Sequence, residues 1–153
     1  MGTYDLARFR DAQDRGFGAP GSDYASALAE VRAGRKRSHW IWYVFPQVQG
    51  LGRSDFCHRY GVWGLGEASA YLADVCLRGR LVEICRALLS LDTRDAVAVF
   101  GRIDARKVRS SMTLFALADG ADPVFIQVLD EFYGGRPDEL TLDILGTAWP
   151  QER

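Results

Sequence analysis

The stretch Met112-Thr113-Leu114-Phe115-Ala116-Leu117-Ala118 is apolar nearly all the way round a helix, and a helix with no polar face is stable only when other elements cover every side. The chain is thereby restricted to folds in which one helix is surrounded. The spacing predicts a central helix over 105–118. Its N-terminal half carries Lys107, Arg109, Ser110 and Ser111 and is anchored in the core by the apolar half that follows.

The covering elements read as short helices. Leu6, Phe9 and Gln13 recur at helical spacing, with Ala12 on the same side, so a first amphipathic helix runs over 5–15. The breaker cluster at 16–21 ends it, and Ser22 is placed to cap a second helix bearing Tyr24, Ala27, Leu28 and Val31, stopped by Gly34. Ser38 then precedes His39-Trp40-Ile41-Trp42-Tyr43-Val44-Phe45, apolar on every side and halted by Pro46. A short buried helix fits this run, and its aromatic and β-branched content keeps a buried strand open. Further along, Ser54 caps a helix ending near Gly61, another covers 67–73, and Asp74 caps a longer one with Leu81, Ile84, Cys85 and Leu88 on one face. Asp92 and Gly101 bracket the next, Asp104 caps the central helix, Asp122-Pro123 opens a helix that ends at Gly134-Gly135, and a last one runs over 138–145. The expected class is all-α: a compact single domain over 1–153, an orthogonal or superhelical-type array of short helices around a buried central helix.

With 153 residues, 48% apolar and 25% charged, the chain has the means to bury a core without staples. Cys57, Cys76 and Cys85 form an odd set with no C-x-x-C pair, which suits a reducing, cytoplasmic setting and no disulfide framework. No stretch approaches 18 uninterrupted apolar residues, so no membrane span is expected. With two histidines and scattered cysteines, neither a metal site nor a cofactor is expected.

The net charge of −1 disfavours a general nucleic-acid coat, but the charges are unevenly placed. Arg32, Arg35, Lys36 and Arg37 form one basic focus. Arg102, Arg106, Lys107 and Arg109, against Asp104, form a second. From Asp119 onward eight acidic residues face two arginines, so an anion-binding surface is expected to be local.

The first focus opens the segment Arg35–Gln47. A Ser38 cap would leave free backbone N–H groups beside three basic side chains, a setting for an oxyanion, with Trp40 or Trp42 available to stack on a ring. A solvated basic turn leading into core aromatics gives the same pattern. His39 is the one residue there able to exchange a proton near neutrality, or else to make a structural hydrogen bond. In the second segment, Lys107, Ser110 and Ser111 stand at i, i+3 and i+4, one ammonium with two hydroxyls, which nothing in the apolar remainder of their helix can satisfy. Serines bonded back to their own helix, and a lysine paired with Asp104, are the structural alternative.

These residues carry a resemblance. Leu6-x-x-Phe9-x-x-Ala12-Gln13, Tyr24-x-x-Ala27-Leu28-x-Glu30, the run Gly34 to Gln47, and Gly101-x-Ile103-Asp104-x-x-Lys107-x-x-Ser110-Ser111-Met112-Thr113-Leu114-Phe115 resemble a bacterial family known as domain of unknown function 1810 over nearly the whole chain. The family often carries the label calpastatin. Calpain-inhibiting segments are disordered and fold on binding, whereas this chain has a core-forming composition throughout. The resemblance implies a mostly α-helical domain and no established activity.

The expectation for function is a small anionic or nucleotide-like ligand bound where the two basic segments face each other across a cavity. Arg35, Lys36 and Lys107 would neutralise its charge, while Gln13, Ser38, Gln47, Ser110 and Ser111 would supply hydrogen bonds and Trp40 and Trp42 the aromatic surface. His39 and Lys107 are the candidates for acid or base catalysis. The alternative is a non-catalytic regulatory or interaction module whose basic surface meets an acidic partner or nucleic acid, the latter disfavoured by the net charge.

Overall fold

A computed structural model describes residues 4–150. Among them lie ten helices and no strand: α1 (Ala7–Arg15), α2 (Tyr24–Arg32), α3 (Ile41–Val44), α4 (Asp55–Tyr60), α5 (Gly64–Ala73), α6 (Val75–Leu89), α7 (Ala96–Phe100), α8 (Arg102–Leu117), α9 (Pro123–Tyr133) and α10 (Glu139–Leu145). The only ladder element described is an isolated parallel bridge between Val48 and Val62. None of these helices is long and apolar enough to cross a membrane.

The central helix is α8, which packs against α3, α5, α7, α9 and α10. Met112, Leu114 and Phe115 are fully buried, as a stretch without a polar face requires. Around it, α6 packs on α1, α2, α5 and α9. One apolar cluster runs continuously from Phe9 to Phe132.

Several helix starts follow their caps. Ser54 accepts from the Cys57 N–H, Asp74 from Leu77, Asp122 from Val124 ahead of Pro123, and Asp138 from Thr141. Others do not. Ser22 is buried and bonds back to the Ala19 carbonyl, so Asp23 stands at the start of α2. Asp95, not Asp92, caps α7. Asp104 lies inside α8, because Gly101, at φ +82°, breaks the chain between α7 and α8 in a conformation that side chains disfavour. The run after Ser38 is helical, a single turn over Ile41–Val44.

A buried ion pair ties α1 to α5. Both ends of the Arg8 guanidinium meet the Glu67 carboxylate, at 2.8 and 3.1 Å, and Arg8 also donates to the Gly61 and Arg59 carbonyls. The Glu67 side chain is fully buried and accepts in addition from the Trp63 N–H. Removing one partner leaves the other charge buried and unpaired. Glu67→Gln is therefore expected to cost about 3–5 kcal/mol in urea unfolding; a loss below about 1 kcal/mol would show that Arg8 finds water or another acceptor.

Candidate functional site

After α2 the chain passes Gly34 and runs without helix to Trp40. Its course is fixed by one side chain. Glu30, in the last turn of α2, folds back so that Oε1 accepts from the Arg37 N–H (2.8 Å), the Ser38 N–H (2.9 Å) and the Trp40 indole (2.9 Å), while Oε2 accepts from the Ser38 hydroxyl (2.7 Å). Ser38 is therefore not a helix cap. Trp40 precedes α3 and offers it no side-chain bond. The concentration of N–H groups expected to hold an external oxyanion is filled by the protein's own carboxylate. Gly21 approaches from α2's entry loop, where a Cβ would collide with the Ser38 hydroxyl. Burial pushes the Glu30 carboxyl up, but the hydrogen bonds from Arg37, Ser38 and Trp40 outweigh it and lower its pKa.

The two basic segments do converge, at Asp104. Lys36 Nζ lies 2.8 Å from Asp104 Oδ2, and its side chain is 8% exposed. The same ammonium donates to the Ser38 carbonyl and stands 5.0 Å from the Trp40 ring centroid. Its backbone N–H donates to the Val99 carbonyl at 2.7 Å, locking the segment to α7. Lys107, one turn after Asp104 on α8, approaches Oδ1 at 3.5 Å and stands over Trp42, 5.4 Å from its centroid. Two ammonium groups thus share one carboxylate. Lys36 is satisfied, whereas Lys107 makes no hydrogen bond among the described residues.

Trp42 is half-buried in an aromatic cluster, stacked on Phe56 at 4.3 Å and 18° and met at its edge by Phe17. The crevice beneath it, lined by Gln47, Cys57 and Tyr60 among others, holds only about 10 Å³, at most the room of one water. The two segments themselves meet through the Lys36–Asp104 pair and the approach of Lys107 to Trp42. On the other side of Lys36 a groove of about 270 Å³ opens, lined by Arg35, Lys36 and Val97 to Gly101. A roomier groove, about 770 Å³, lies elsewhere, along α6 between Arg32, Val75 and Asp122.

The remaining candidates fall in different places. Trp40 is fully buried and its indole is spent on Glu30. Gln13 is buried, donating to the Tyr43 carbonyl and the Tyr71 hydroxyl and accepting from Arg80, so it positions α3 from within the core. Ser110 donates back to the Arg106 carbonyl. Ser111 is fully buried, and its hydroxyl has no partner among the described residues. Arg35 and His39 are exposed, and the His39 imidazole makes no hydrogen bond among the described residues. No group of three metal-ligating side chains is assembled among those residues. Sequence reasoning missed Glu30 and Phe56 and took Asp104 for a cap; the available signals were an acidic residue shortly before the basic focus, at Glu30, and one inside the second focus, at Asp104-x-x-Lys107.

A family model described as "Protein of unknown function (DUF1810)" matches residues 3–145. The chain belongs to the DUF1810 family. It is also similar to a solved structure, the conserved hypothetical protein Rv1873 from Mycobacterium tuberculosis, at 43% identity and a TM-score of 0.85, covering 95% of this chain and 99% of that one. Among curated proteins none matches. The all-helical architecture and the family are thus established, and neither comparison carries an activity.

Glu30→Ala strips the acceptor from four donors and is expected to cost about 2–3 kcal/mol in urea unfolding at pH 7. Because the folded pKa is lowered, Glu30's contribution is present above its unfolded value and is lost as pH falls through the folded one. The gap between wild type and Glu30→Ala should therefore narrow on acidification below about pH 4; a constant gap would contradict the assignment.

Proposed function

We propose that DUF1810 proteins of this kind bind a small anionic or nucleotide-like ligand at the Lys36–Asp104–Lys107 cluster beside Trp42. The observation that carries this reading is the charge imbalance: two ammonium groups meet one carboxylate, and the ammonium left without a hydrogen bond, Lys107, is 22% exposed. A partly desolvated cation with unused donors favours an oxyanion. Lys36 continues into the groove it shares with Arg35, which gives a bound molecule room beyond its charged group. Trp42, with one face taken by Phe56, contributes an apolar edge beside the charge. The reading is one of binding: the exposed His39 imidazole makes no hydrogen bond among the described residues that would orient it as a general base.

The exposed side chains of Arg35, Arg37 and His39 support the alternative, an acidic macromolecular partner meeting the outer surface of the same segment. The two readings respond differently to Lys107, which faces inward. AMP and a phosphosugar, titrated against the full chain with tryptophan fluorescence and thermal unfolding as readouts, test the first. A ligand at 100 times its dissociation constant stabilises by about 2.7 kcal/mol. Lys107→Met is expected to abolish that stabilisation and leave the helical circular dichroism unchanged. Retained stabilisation in Lys107→Met, or loss of its helical spectrum, would overturn the assignment.

A further inference from the structure

The opposite face of α8 carries a second basic feature that the cluster at Lys107 does not use. A groove of about 260 Å³ between α7, α8 and α9 is lined by Arg94, Arg102, Arg106 and Arg109, over a floor that includes Val97, Ala105, Phe132 and Tyr133. We propose that this groove binds a phosphoryl group carried on a small molecule, held by Arg102, Arg106 and Arg109.

The charge balance is the first support. Four guanidinium groups line the groove against the single carboxylate of Asp95, whose Oδ1 is held at the start of α7 by the Val97 and Ala98 N–H groups, so positive charge stays in excess. Glu131, outside the lining, pairs with Arg94 at 2.9 Å. Arg102 and Arg106 are exposed, with no partner among the described residues. Gathering like charges in one concavity is unfavourable without a counter-anion. On a chain whose net charge is −1, such a local excess is not a consequence of composition.

Geometry is the second. Arg109 is fixed in place, donating from Nε to the Arg136 carbonyl (3.1 Å) and from Nη2 to the Pro137 carbonyl (2.9 Å). These acceptors are neutral, so its charge is uncompensated, and Nη1 has no partner among the described residues. Arg94 is held by the Leu91, Thr93 and Leu89 carbonyls and stands over Phe132 at 5.4 Å. Two walls are thus preorganised, while Arg102 and Arg106, at i and i+4 on α8, are free to close on a ligand. A carboxylate is matched by one guanidinium; several guanidiniums around one pocket match the three oxygens of a dianionic phosphoryl group.

The size of the groove, about 260 Å³, suits a small molecule over a nucleic-acid chain, and the Glu131 carboxylate that pairs with Arg94 at its margin does not favour a polyanion continuing in that direction.

The test is an amide-resolved NMR titration of the full chain with inorganic phosphate at low ionic strength. Saturable shifts are expected at Arg102, Ala105, Arg106 and Tyr133. The doubly substituted Arg102→Gln, Arg106→Gln chain should weaken them at least about tenfold, and Arg106→Gln alone by a smaller factor. Lys107→Met and Arg15→Gln should leave them within about twofold, separating this groove from the Trp42 cluster and from bulk charge. Absence of shifts at the groove, equal losses in Arg15→Gln, equal shifts with acetate, or tighter binding there of a single-stranded oligonucleotide than of phosphate would each overturn the proposal.

Discussion

Asp104 holds the two ends of the basic architecture together. Its carboxylate sits one turn into α8, where the chain leaves Gly101, and it meets an ammonium from the α2–α3 connection and another from its own helix. Because the C-terminal half of α8 is apolar on all sides and immovable in the core, Asp104 is a fixed point. The Lys36 bond transmits that fixity to a segment that has almost no regular structure of its own.

A second carboxylate, Glu30, completes the arrangement from the other side. It gathers two backbone N–H groups, a hydroxyl and an indole, and so shapes the turn that delivers Trp40 to the core and Trp42 to its margin. Of the basic residues at 35–37 only Lys36 spends its charge on an internal anion, Asp104, while Glu30 takes backbone N–H groups; the surplus lies on the exposed Arg35 and Arg37, on Lys107 at one face of α8, and on the arginines of the α7–α9 groove at another. The charged motif is thus part structural wiring and part unpaired surplus, and the surplus is where binding is to be sought.

Much of the fold was legible in the sequence because it rests on local rules. The apolar run at 112–118 requires burial, and Asp74, Asp122 and Asp138 cap helices as short acidic residues before apolar periodicity do. The misplacements have separate causes. Ser22 is taken up by its own 16–22 turn, Asp104 falls inside α8 because Gly101 sets the break one turn earlier, and Ser38 is claimed by Glu30 of the preceding helix. Local periodicity holds no information about such tertiary capture. For the same reason Gln13 and Trp40 read as ligand groups, since polar atoms spent inside a core look the same in a sequence as polar atoms offered to a ligand. The energetic argument that sets Lys107, Ser110 and Ser111 facing the first segment across a cavity does not distinguish a ligand from internal partners: Lys107 stands over Trp42 and also approaches Asp104, Ser110 bonds back to its own helix, and the Ser111 hydroxyl has no partner among the described residues.

The two lysines at Asp104 divide the labour: Lys36 holds the structure at 2.8 Å, and Lys107, at 3.5 Å, keeps donors unused. Double-mutant cycles in urea unfolding measure this division directly, pairing Asp104→Asn first with Lys36→Met and then with Lys107→Met. A coupling of at least about 1 kcal/mol is expected for Lys36 and Asp104, and about 0.5 kcal/mol or less for Lys107 and Asp104. Equal couplings for the two lysines would make both structural and contradict the claim that Lys107 is left for a ligand.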